Sequence, residues 1–186
     1  MKYEYREVEL YNTVITRFTN STWRENLKWR ENNNHKDGCI YNAVCPTPIS
    51  VNNYTNLFVI EMNIETNDII GIGLIKNKYC LKTIKIYSVS KYNYFTYKSD
   101  YRIDSSKFEE IFTDEELELI NLLKKFLFRG FSHLKRGSGY SKLPDKMIYK
   151  GGKNIKDEKI DNVYTQLFKI AFKRYYSKGL RNDINI

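Results

Sequence analysis

The stretch Ser132-His133-Leu134-Lys135-Arg136-Gly137-Ser138-Gly139-Tyr140-Ser141-Lys142 gathers the groups that hold phosphate. Glycines on both sides of Ser138 leave backbone N–H groups open, and successive N–H groups can wrap an anion as a nest does. Lys135, Arg136 and Lys142 add charge, His133 adds a further contact, and the serine hydroxyls add donors. From residue 131 to 155, six cationic side chains (Lys135, Arg136, Lys142, Lys146, Lys150, Lys153) meet one acidic one, Asp145. Backbone contacts in a nucleic-acid groove need this combination. A nucleoside-triphosphate loop is excluded, because no G-x4-G-K-[ST] string is present.

A second set of residues suits unpaired bases. Trp23, Trp29, Tyr87, Tyr92, Tyr94, Tyr97 and Tyr101 lie near Arg24, Lys28, Arg30, Lys91, Lys98 and Arg102. Bases stack on aromatic faces, each contributing about 1–3 kcal/mol, while interleaved cations meet the phosphates. Trp23 reads as core. Trp29, Tyr97 and Tyr94 read as the stacking rings, with Lys98 and Arg102 assisting.

A third set could be catalytic. His133 could act as a base, with Ser132, Ser138 or Cys39 as nucleophile, in a phosphoester-processing enzyme. No recognisable spacing joins them. Asp100 and Asp104 could in principle meet a metal, but Asp100 reads as a turn residue and no paired-carboxylate signature stands out. No catalytic residue, metal ligand or cofactor is therefore assigned.

The elements that position these residues are legible from periodicity. Residues 2–18 include a strand around Val14-Ile15. A helix follows, with Thr22 and Glu25 as its capping box, and ends in Asn32-Asn33-Asn34. Residues 39–51 read as a short strand and a loop broken by Pro46 and Pro48. Leu57–Met62 and Ile69–Ile75 form a hairpin buried on both faces, in which Gly71 and Gly73 clear one face for close approach of another backbone or for a bulge. β-prone alternation continues over 82–103. A helix starts at the capping box Thr113/Glu116 and ends before Gly130. A last helix covers about 157–177, with a loose tail from Leu180. The fold class is α+β: one domain over 1–186, with a mixed or antiparallel sheet or partly closed barrel and packed helices.

Charge and cysteines bound the partners. The 186 residues carry 31 Lys and Arg against 22 Asp and Glu, a formal net charge of +9. That excess attracts polyanions. Cys39, Cys45 and Cys80 are odd in number and lack zinc spacing, so they read as reduced thiols in an intracellular compartment. No signal peptide or membrane-length apolar run is visible. Heavy use of Lys, Asn, Ile and Tyr points to an AT-rich genome, for which a large DNA virus is one candidate source.

Several strings resemble the PUA-like superfamily, in its YTH and EVE branches. Val14-Ile15-Thr16-Arg17-Phe18 is similar to the family's first strand and residues 20–31 to its helix. Leu57–Ile64 and Ile70–Ile75 are similar to its hairpin, and Tyr97-Lys98-Ser99-Asp100-Tyr101 to its aromatic-Lys-Gly-Lys-aromatic string. The resemblance covers about residues 13–104. It implies a small α+β barrel that reads a modified base in an aromatic cage, with Tyr97 at one cage position and Trp29 near another. Residues 105–180 have no counterpart. Ser99 and Asp100 depart from the family's glycine and basic residue. Together these features predict a nucleic-acid-binding domain, for RNA rather than DNA, with no membrane partner. The rival reading is a viral structural or host-interaction protein within a viral or ribonucleoprotein complex.

Overall fold

A computed structural model describes residues 10–48, 54–144 and 160–177. Strand β1 (Tyr11–Phe18) pairs in parallel with β3 (Asn56–Asn63), which pairs antiparallel with β4 (Asp68–Lys76). β6 (Tyr101–Asp104) extends the sheet beyond β4, and β7 (Ser141–Lys142) beyond β1, giving the order β6-β4-β3-β1-β7. A separate two-stranded sheet joins β2 (Cys39–Ala43) to β5 (Phe95–Ser99). The large sheet is therefore mixed and open, and its end strands do not meet. The expected barrel closure is not present: the chain leaves β4 to build the small sheet instead of continuing around.

Strand periodicity explains why the central strands are apolar on both faces. Phe58, Ile60 and Met62 turn one way with Ile15, and Leu57 and Val59 turn the other way with Val14 and Phe18. The first face is covered by α3 (Asp114–Phe128) and α4 (Ile160–Ser177), through Ile120, Leu123, Leu127, Phe168 and Phe172. The second is covered by the small sheet, through Tyr41, Tyr97 and Ala43. α1 (Asn20–Asn32) follows β1 directly, and the short helix α2 (Phe108–Ile111) precedes α3.

Gly71 and Gly73 face the small sheet. A Cβ on Gly73 would overlap the Tyr41 hydroxyl, and one on Gly71 would overlap the Arg102 guanidinium. The close approach is made by these side chains and not by another backbone, and the register shifts between Glu61 and Met62, beside Gly71, as the bulge alternative expects. Tyr41 donates to Glu61 Oε1 at 2.7 Å, and Arg102 grips the same carboxylate from Nε and Nη2, the latter at 2.7 Å.

Two local expectations shift. α1 is capped by Thr19 with Thr22, three residues before the predicted Thr22/Glu25 box, and Glu65 accepts the Asn20 N–H at 2.7 Å in the first turn. Glu25 instead accepts from Ser88 N at 3.0 Å. Residues 82–89 are a loop and Ser90–Asn93 a 3-10 turn, and neither is a strand. Asn93 accepts from the N–H groups of Ile86 and Tyr87 at 2.9 and 3.0 Å, so those groups are spent before a ladder can form. The Thr113/Glu116 box and the Asn-rich stop of α1 stand where expected, with Asn34 at φ 51°. Gly130, at φ 80°, follows α3 as the glycine of its C-terminal end. Lys146, Lys150, Lys153, Asp145 and the tail lie outside the described residues. No helix among the described residues is long and apolar enough to cross a membrane.

Candidate nucleic-acid interface

A cleft of about 200 Å³ opens where the end of β1 and the first turn of α1 meet β2 and the glycine loop. Gly137, Ser138 and Gly139 form one wall. Gly137 and Gly139 have φ of 107° and 70°, a backbone that side-chain-bearing residues rarely adopt, so the loop's shape depends on glycine at both places.

Arg17 supplies the cation. Its Nε donates to Leu134 O at 2.6 Å and its Nη1 to Ser141 Oγ at 3.1 Å, which lashes the guanidinium to the glycine loop. A Cβ on Gly137 would stand 3.7 Å from the guanidinium carbon, so the loop backbone runs alongside it. No carboxylate among the described residues pairs with Arg17. Burial holds its pKa below the ordinary arginine value. A half-buried guanidinium without a counter-charge favours an incoming anion or carbonyl.

Asn42 supplies an acceptor. Its Nδ2 donates to Ile84 O at 2.6 Å and to Asn93 Oδ1 at 2.9 Å, which fixes the amide's orientation. Its Oδ1 is buried with no hydrogen-bond partner in the described structure. Unsatisfied buried acceptors are uncommon, and this one belongs to a residue of the cleft wall. Tyr92 and Tyr87 complete that wall, their rings edge-to-face at 6.3 Å, with Lys91 Nζ 5.7 Å from the Tyr92 ring. The first turn of α1 also borders the cleft, with the Asn20 and Thr22 amides already taken by Glu65 and Thr19.

Two stretches of the cleft wall belong to basic segments of the chain. One is the glycine loop with Lys135, Arg136 and Lys142. The other runs from Ile69 to Ser99, with Lys76, Lys78, Lys82, Lys85, Lys91 and Lys98 and no acidic residue. All six of these lysines are exposed. A cleft of this size suits one planar group such as a base and is smaller than the usual ligand pocket of about 300–1,000 Å³.

The residues singled out from sequence separate into groups. Gly137, Ser138 and Gly139 reach the cleft. Lys135 is half-buried and Arg136 exposed beside it, and Lys142 pairs with Val14 in β7. His133 accepts the Lys135 N–H on Nδ1 at 3.3 Å, which shapes the turn. Tyr94 is exposed. Trp29 and Lys98 form their own pair, Nζ 5.7 Å from the ring, at the other end of α1. About ten residues of helix, or ~15 Å, separate them from the cleft.

Two expectations are corrected. Tyr97 is 1% exposed: paired with Tyr41 across the small sheet, it packs edge-to-face on Tyr140 at 5.2 Å and takes the Thr47 N–H on its hydroxyl. It has no face for a base. Arg102 is 6% exposed and saturated by Glu61, Asp104 and Ile70 O. Burial alone would lower its pKa, but Glu61 and Asp104 outweigh burial and raise it. Tyr97 does structural work because the small sheet packs on the main sheet, and Arg102 because its guanidinium lies over Gly71 against Glu61. Cys39 is likewise buried, and burial pushes its thiol up to about 12, which removes it as a nucleophile. Asp104 pairs with Arg102 at 2.7 Å, and Asp100 lies 3.4 Å from His35 Nδ1.

Arg17 and Asn42 were missed from sequence. The signals were there: an arginine closing a β-branched strand, and an asparagine inside a β-prone run where it is disfavoured. A larger cleft, of about 620 Å³, lies on the side of α1 bearing Arg30 and Glu31. Its wall mixes Arg30, Lys36, Arg102 and Lys107 with Glu31, Asp37, Asp100, Asp104 and Glu110, so it repels a polyanion as much as it attracts one. The smaller cleft is the better nucleic-acid candidate. Comparison with protein-family models, curated proteins and solved structures found no match to this chain.

Proposed function

We propose that this protein binds nucleic acid, RNA in preference to DNA, by seating one unpaired base in the small cleft, and performs no chemistry on it. The observation that carries the reading is Arg17, a half-buried guanidinium with no carboxylate partner among the described residues, lashed against the Gly137-Ser138-Gly139 backbone beside the Asn42 Oδ1, which accepts no hydrogen bond from those residues. Arg17 and the loop amides would meet phosphate or a base carbonyl. Asn42 Oδ1 would accept from a base N–H, and Tyr92 would offer a ring. Lys135, Arg136 and Lys142 would supply the backbone contacts, because unpaired RNA is read through base edges and aromatic stacking.

A PUA-like ancestry of the YTH or EVE kind belongs to this reading. Its support is the order β1–α1 and the glycine-bearing strand β4. The ligand would then be a modified base, held by Tyr92 and not by the buried Tyr97.

The test is fluorescence anisotropy with RNA and DNA oligonucleotides, modified and unmodified, across a salt series. The expected slope of log K against log salt is about −2 to −4, as for three to five phosphates at about −0.7 each on a single strand. Absence of binding at low salt would overturn the reading.

A further inference from the structure

We infer that the binding surface does not end at the cleft but continues across β5 to Tyr79 and Tyr54, so that the ligand is a single strand with further unpaired nucleotides beside the one in the cleft. This rests on the nucleic-acid reading and specifies its substrate. The rings lie close to the cleft through the small sheet, by way of the buried Ala43 of the cleft wall. A Cβ on Gly139, at the cleft wall, would stand 3.8 Å from Ala43. Ala43 pairs in register with Phe95 across the small sheet. Phe95 meets Tyr79 edge-to-face with ring centres 5.2 Å apart. One strand spacing and one ring contact, ~10 Å in all, thus lead from cleft to Tyr79.

The segment carrying these rings is held in place. Cys80 donates its N–H to Thr96 O at 2.7 Å, Asn77 to Thr55 O at 2.8 Å and Tyr54 to Asn77 O at 3.3 Å. Despite that anchoring, Tyr79 is 47% and Tyr54 68% exposed. Lys78 sits between them in position, with its Nζ 5.4 Å from the Tyr54 ring. Lys76 and Lys82 lie nearby in the chain, and no acidic residue occurs between Ile69 and Ser99. Fixed, exposed rings beside lysines that form no salt bridge among the described residues make a stacking platform for a single strand: rings take base faces and lysines take phosphates. A duplex, whose base faces are already stacked, gains nothing from the rings. An acidic peptide would use the lysines alone.

The test compares wild type, the double variant Tyr54→Ser/Tyr79→Leu and Arg17→Met. Leucine at 79 keeps apolar packing on Phe95 and removes only the aromatic face. The probes are a single nucleotide, a trinucleotide, a hexanucleotide, a hairpin duplex and poly-glutamate. Wild type is expected to bind the hexanucleotide at least about tenfold more tightly than the single nucleotide. The double variant is expected to lose that gain while keeping single-nucleotide affinity, and Arg17→Met to weaken binding at every length. If the double variant keeps the gain, the extended surface is wrong and the cleft stands. If both variants bind every probe like wild type, both readings fall. Equal affinity for the duplex or for poly-glutamate would overturn the stacking platform.

Discussion

Replacing Glu61 by alanine is expected to lower the unfolding free energy by about 3–5 kcal/mol, the usual cost of removing one partner from a buried ion pair. The side chain is 1% exposed and accepts from Tyr41 and from two nitrogens of Arg102. Without it, the Arg102 guanidinium keeps only Asp104 and the Ile70 carbonyl. Arg30 makes the loss worse. It is 4% exposed, its Nε and Nη1 have no hydrogen-bond partner, and burial together with neighbouring Arg102 holds its pKa down, opposed by Glu61. Glu61 is therefore the carboxylate that lets two guanidiniums lie under the sheet. Small domains have about 5–15 kcal/mol in total, so the variant stands near the threshold of folding. Chemical denaturation measures it. Glu61→Gln, which retains an acceptor for Tyr41, is expected to lose less. A change below about 1 kcal/mol for Glu61→Ala would mean that water enters and the network is not closed.

The second large effect is on binding. Arg17→Met is expected to raise the Kd for single-stranded RNA about 10–100-fold, the loss of about 1.5–3 kcal/mol of charge-assisted hydrogen bonding. Methionine keeps much of the stem's packing and removes the fork. Arg17→Lys is expected to recover only part of the affinity, because an ammonium cannot hold Leu134 O and Ser141 Oγ while also meeting the ligand. Arg17 also anchors the glycine loop, so a thermal melt belongs beside the binding curve. A lowered melting temperature with unchanged affinity would make Arg17 a loop anchor only.

The fold was legible where pattern and packing agree. The hairpin of β3 and β4, the capping box of α3 and the stop of α1 all rest on local rules that tertiary structure left intact. Residues 82–94 were not legible, because Asn93 caps backbone donors that alternation alone would assign to a ladder. Barrel closure was not legible either, since strand order depends on where β2 and β5 leave the main sheet. At the site, the glycine loop announced itself by composition. Tyr97 and Arg102 looked available because aromatic and cationic types resemble ligand contacts, and only the packing of Tyr97 on Tyr140 and the grip of Arg102 on Glu61 show that they are core. Arg17 stood unnoticed because a lone arginine at a strand end carries no motif, and its meaning comes from a loop more than a hundred residues away in sequence.

The most direct measurement is a two-dimensional NMR titration with a short single-stranded RNA. The backbone amides of Gly137, Ser138 and Gly139, the side-chain amide of Asn42 and the Arg17 Nε–H are expected to shift first and farthest, with the lysine-rich segment following as the strand lengthens. Shifts confined to the mixed-charge cleft around Arg30 and Asp104, with the glycine loop silent, would contradict the account.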